Sequence, residues 1–164
     1  MINFPMTAES NVKFYRKAVS IFLLLALLPC LLSLININFA ESWKIHFFPA
    51  AIILAAVVFG ATGGIIAGIS GSLYTALFLG NPYIIVGNAL FGMLAAVFYK
   101  KSDKIVPSVL LAYLCELPWL ILTDYYLVHL PADFIVKLVV VLLLVNILWA
   151  VLINISIKRI RKLL

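Results

Sequence analysis

Between Lys44 and Lys100 the chain runs for 55 residues without one Asp, Glu, Lys or Arg. A soluble domain rarely buries so long an uncharged stretch, whereas a bilayer requires it, at about 20 apolar residues per helical crossing. The whole chain agrees. Of 164 residues, 66% are apolar and 11% charged, and mean hydropathy is +1.21, against about 45–50% and 25% in ordinary globular domains. This composition excludes a disordered chain, a nucleic-acid-binding tail protein and an ordinary cytosolic enzyme. It implies an integral, multi-pass protein of the cell membrane with the bilayer as its solvent.

The uncharged block holds more than one crossing. Gly60-Ala61-Thr62-Gly63-Gly64 and Gly80-Asn81-Pro82 interrupt it, and paired Gly and Pro punctuate helices. Spans are expected at about 46–60, 62–79 and 83–99. Before them comes a span over 14–35, kinked at Pro29, whose ring removes one backbone hydrogen bond. After them come 105–123 and 134–157. The polar stretch 36–44 is expected at a membrane surface. The fold class is therefore all-α, with residues 1–164 forming a single bundle of six transmembrane helices.

The net charge of +6 sets the orientation. Basic residues gather at Lys13, Arg16 and Lys17, at Lys100, Lys101 and Lys104, and at Lys158, Arg159, Arg161 and Lys162. Six crossings put these ten on one side and only Lys44 and Lys137 on the other. By the positive-inside rule the ten are cytoplasmic, as are both termini. The clusters therefore anchor loops at a membrane and do not imply a nucleic-acid partner. Cys30 and Cys115 lie in apolar runs and read as small buried hydrophobes.

Small residues recur at helical spacing. Gly60, Gly64, Gly68, Ser72 and Ala76 form one ridge, and Gly63, Ala67, Gly71 and Thr75 form another. Ala51 and Ala55 make a shorter pair, and Asn88, Gly92 and Ala96 repeat the theme. Within lipid, close backbone approach replaces the hydrophobic effect as the force joining helices. These ridges therefore serve helix packing or a partner-docking face.

Glu116 is the one acid deep in an expected span. A charged side chain there costs about 2.5–3.5 kcal/mol on insertion scales, so it belongs in an interior, cavity or contact. Trp119 and Tyr113 share its helix face, at one turn. Asn146, with Trp149 three residues on, falls near mid-membrane, and Asn88 lies in an outer part of its span. An acid, two amides and two indoles suit a small polar aromatic ligand, the rings stacking and the polar groups fixing orientation. Trp43, His46, Tyr83, Tyr125, Tyr126 and His129 fall at the expected outer surface. Most suit an aromatic belt, and the rest a lid or pocket mouth. No Walker loop, HExxH, GxSxG or Cys/His cluster occurs, so no catalytic residue, metal or cofactor is expected and the chain is not expected to be an enzyme.

The run from Phe48-Pro49-Ala50-Ala51 through Phe59-Gly60 and Gly64-Ile65-Ile66-Ala67-Gly68, with Asn88-Ala89-Leu90-Phe91-Gly92 and the later Asn146-Ile147-Leu148-Trp149-Ala150, resembles the S components of energy-coupling factor (ECF) transporters. Many S components carry an acid just after the glycine repeat, where this chain has Ser70, Gly71 and Ser72. The resemblance implies a high-affinity substrate-binding subunit of a vitamin or micronutrient importer. It also implies a membrane coupling subunit and ATPase subunits as partners, ATP being used by those partners. Its substrate contacts would be Asn88, Glu116, Trp119, Asn146 and Trp149, with Tyr125 and His129 at the mouth. Its coupling face would draw on Ala51, Ala55, Gly60, Gly64 and Gly68. The acid suggests a cationic, thiamine-like ligand. The alternative is a rod-shape-determining type of inner-membrane scaffold for cell-wall synthesis, which has similar length and glycine repeats.

Overall fold

A computed structural model describes residues 8–40 and 43–160. The side chains of Lys13, Arg16, Lys17, Trp43, Lys44, Lys158 and Arg159, and all of Arg161 and Lys162, lie outside the described residues. The described residues are mainly helical, with one short hairpin. Helix α1 covers Ala8–Leu34, α2 Phe48–Leu79, α3 Tyr83–Ser102, α4 Ile105–Ile121 and α5 Ala132–Ile160. Among the described residues four helical stretches, α2 taken as one, are long and apolar enough to cross a membrane, and Val19–Leu34 is a shorter apolar one. Their outward side chains, such as Phe22, Leu27, Leu77, Leu144 and Ile155, are large and apolar. That is the surface of a membrane protein.

The segment 36–44, expected at a membrane surface, takes part in a hairpin. Strands β1 (Asn36–Ala40) and β2 (Trp43–His46) pair antiparallel, Ile37 opposite Ile45 and Asn38 opposite Lys44. Its cause is legible in the alternation Asn-Ile-Asn-Phe and Trp-Lys-Ile-His, which has the period of a strand.

Helix α2 is one element only in name. Gly60 takes φ 71° and ψ −158°, a region essentially reserved for glycine. In a straight helix residues 55 and 63 stand about 12 Å apart along the axis, and 48 and 71 about 34 Å. Here a Cβ on Gly63 would lie 2.8 Å from the Ala55 carbonyl oxygen, and one on Gly71 would lie 3.2 Å from the Phe48 Cβ. The chain therefore reverses at Gly60 into two antiparallel halves, α2a (48–59) and α2b (61–79). The break expected at 60–62 is this reversal.

The next contact is closer still. A Cβ on Gly64 would overlap the Gly92 carbonyl, one on Gly92 would overlap that of Gly64, and one on Gly68 would overlap that of Asn88. So α2b and α3 meet backbone to backbone along an antiparallel seam. Gly80, at φ 64°, closes α2b and turns the chain into α3. Helix α1 docks through Pro29. The proline lacks the N–H that would bond to Leu25, and Ser70 of α2b donates its hydroxyl to that free carbonyl at 3.1 Å. A core of Ile52, Ile53, Phe91, Val109, Ala112, Tyr113 and Ala150 joins the remaining helices.

The seam corrects one expectation. Ala51, Ala55, Gly64 and Gly68 are buried against this chain's own helices. They are consumed in packing and present no face to a partner. Gly60 alone of the five stays partly exposed. Two boundaries also move. Helix α4 continues past 121 into a π-helical turn, Leu122–Leu127, and α5 begins at Ala132.

Candidate functional site

The antiparallel order brings one set of helix ends together: the starts of α2a, α3 and α5 and the finishes of α2b and α4. A partly enclosed cavity of about 400 Å³ lies between them, within the size range of small-molecule sites. Lys100, Lys101 and Lys104, all exposed, sit at the opposite end of the bundle.

Asn88, Glu116, Trp119 and Asn146 all line the cavity. Glu116 stands 11 residues along α4 from Ile105, or about 16 Å of helix. Gly87 of α3 makes room for it. A Cβ there would lie 3.0 Å from Glu116 Oε1 and 3.3 Å from Trp119 Cδ1, so carboxylate and indole border the same point of α3. The Trp119 Nε1–H donates to the Tyr83 carbonyl at 3.2 Å. That bond fixes the indole and leaves its π face for other contacts. Asn88 Nδ2 donates to the Ile84 carbonyl at 3.0 Å within its own helix.

Three polar groups on the cavity have no hydrogen-bond partner among the described residues. They are the Glu116 carboxylate, the Asn146 amide, in a side chain only 7% exposed, and the buried Oγ1 of Thr75. Buried polar groups in folded proteins are nearly always satisfied, and leaving one unsatisfied costs about 1–3 kcal/mol. Thr75 Oγ1 is such a buried group, and the half-buried Glu116 carboxylate and the Asn146 amide open onto the same void.

A second acid also lines the cavity. Asp124 is 7% exposed and accepts from Asn81 Nδ2 at 2.9 Å, while Asn81 Oδ1 accepts from the Tyr83 N–H at 3.1 Å. The π-helical turn creates this position. Val128 N–H bonds to the Thr123 carbonyl at 2.9 Å, which carries the helix past its expected end and keeps Asp124 inside. Asp124 lies one residue beyond the span expected over 105–123. Its signal was the spacing Glu116, Leu120, Asp124, one residue per turn on a single face. Asn81, Thr75 and Gly87 also went unassigned to the site, though Gly80-Asn81-Pro82 was recognised as a break.

Three expected contacts lie elsewhere. Trp149 donates its Nε1–H to the His46 carbonyl at 3.1 Å and packs its ring 5.0 Å from that of Phe47, tying α5 to the end of β2. Tyr125 is exposed and meets Tyr126 edge-on. His129 is exposed at the turn into α5, with φ 59°. None of the three lines the cavity, whereas His46 does. Among the described residues no group of three His, Cys, Asp or Glu is placed to hold a metal ion.

Among the described residues the cavity has aromatic and aliphatic walls, two carboxylates and no lysine or arginine. Comparison of the chain with protein-family models, with curated proteins and with solved structures finds no match.

Proposed function

We propose that this chain is a membrane-embedded binding subunit that captures a small water-soluble molecule, of the kind the S components of ECF importers are. In this reading it crosses the plasma membrane six times, α2b as a full crossing and the 12-residue α2a as a short one, with both termini in the cytoplasm. The cavity then faces outward, away from Lys100, Lys101 and Lys104. The ligand is a vitamin-like micronutrient. Import energy comes from a coupling subunit and ATPase subunits, since the chain carries no nucleotide-binding loop of its own.

The observation that carries the proposal is the set of polar groups left open around one void: Glu116, Asn146 and Thr75. A helical scaffold needs no such cavity and gains stability by filling it.

Mass spectrometry of the chain after gentle detergent extraction tests the reading. A bound small molecule that is lost in Glu116→Ala, with the variant still folded, supports it. An empty chain that co-purifies with cell-wall-synthesis enzymes contradicts it and favours the scaffold. Co-purification of ATPase subunits separates a transporter part from a free-standing receptor.

A further inference from the structure

We propose that the cavity takes an organic monocation built on a flat ring, its positive centre against Glu116 and its ring beside Trp119. This rests on the binding reading above and adds the chemistry of the ligand.

Charge decides first. Among the described residues the lining holds Glu116 and Asp124 and no Lys or Arg. An anionic ligand would meet two acids in a low-dielectric setting, where like charges repel strongly. The two acids are not equivalent. Asp124 already accepts from Asn81 at 2.9 Å, and Asn81 is in turn held by the Tyr83 N–H. Glu116 has no such partner among the described residues. One acid is therefore settled by the protein and one is left for the ligand, which fits a single positive centre.

Shape and polarity decide the rest. The contact geometry at Gly87 puts the Glu116 carboxylate and the Trp119 ring side by side. A cation between them gains both an ion pair and a cation–π contact, for which tryptophan is the best partner. The indole N–H is taken by Tyr83, so its remaining interaction is through the face. Asn146 offers a donor and an acceptor, and Thr75 a hydroxyl, to polar substituents on the ring. A neutral ligand satisfies Asn146 and Thr75 but leaves Glu116 without a counter-charge.

Titration calorimetry on the full chain in lipid nanodiscs, with three probes that share one ring and differ in charge, tests this. The probes are 1-methylnicotinamide (cation), nicotinamide (neutral) and nicotinate (anion). The cation is expected to bind about tenfold or more tighter than the neutral ring, as a charge-assisted contact implies. Nicotinate is expected to give no heat. Glu116→Gln should erase the cation's advantage, and Asp124→Asn should preserve most of it. Equal or tighter binding of nicotinamide or nicotinate would overturn the cation assignment and leave the binding reading standing. No heat from any probe at millimolar concentration would overturn the flat-ring cation assignment, while the binding reading stands or falls on the ligand retained after extraction. An unchanged charge preference in Glu116→Gln would remove Glu116 from the site.

Discussion

Helices α2b and α3 behave in opposite ways along their length. Toward the basic end they touch backbone to backbone, through Gly64 and Gly92 and through Gly68 and Asn88. Toward the other end, from Tyr74 to Leu79 and from Tyr83 to Gly87, the same two helices form walls of a cavity of about 400 Å³. The difference lies in side-chain volume. Glycines at the seam let two backbones approach with nothing between them. Tyr74, Thr75, Phe78, Tyr83 and Ile84 instead present side chains to the cavity at the other end. In a bilayer, where lipid competes equally for apolar surface, the closed half supplies the helix association that the open half forgoes. Stability is concentrated at one end so that unsatisfied polar groups can be kept at the other.

Breaking the closed half should have the largest effect. Gly64→Val and Gly92→Val each put a side chain where the facing backbone stands, and each should destabilise the bundle by about 3 kcal/mol or more, overpacking against backbone being hard to relieve. Thermal unfolding in detergent measures the loss, and a melt within a degree of the parent would show that the seam is not tight.

Changing the open half should act on binding instead. Glu116→Leu should abolish ligand binding yet raise the stability of the empty chain by about 1–3 kcal/mol, because it removes an uncompensated buried polar group. Paired melts with and without the retained ligand read both effects. A Glu116→Leu chain that melts well below the parent would mean that the carboxylate is structural.

The hinge comes next. No neighbouring atom lies within 4 Å of a Cβ at Gly60, so Gly60→Ala meets no clash and reports backbone strain alone. It should cost about 1–3 kcal/mol, the cost of holding alanine in a glycine-only region. An unchanged melt would show that the reversal tolerates another conformation.

Ser70→Ala should have the smallest effect, about 1 kcal/mol, by leaving the Leu25 carbonyl unsatisfied at the Pro29 kink. The same melt reads it, and the double variant Ser70→Ala with Pro29→Ala should recover most of the loss, since alanine restores the helical N–H.

The seam and the hinge were legible in the sequence because glycine at four-residue spacing and paired glycine have few other uses in a membrane helix. What the spacing left open was the partner. The ridge Gly64–Gly68 serves equally for an internal helix or an external subunit, and only the position of Gly92 and Asn88 decides between them. Glu116 was legible because an acid in an apolar run stands alone. Asp124 was not, because reading a helix end from composition stops at the first polar pair, while the π-helical turn carries the helix on to Leu127. Trp149 was misplaced for a related reason. An indole can stack on a ligand or anchor a loop, and the choice rests on His46, 103 residues away in sequence.

The central claim is that the open half is a polar cavity reached from outside while the closed half is dry. Cysteine accessibility tests it in one measurement. In a background with Cys30 and Cys115 replaced by serine, Asn146→Cys and Ala112→Cys are exposed in intact cells to a membrane-impermeant, positively charged thiol reagent. Asn146 lines the cavity and Ala112 is fully buried in the core. The account predicts rapid labelling at 146 and none at 112. Silence at both positions, in a chain that still folds and inserts, would contradict it.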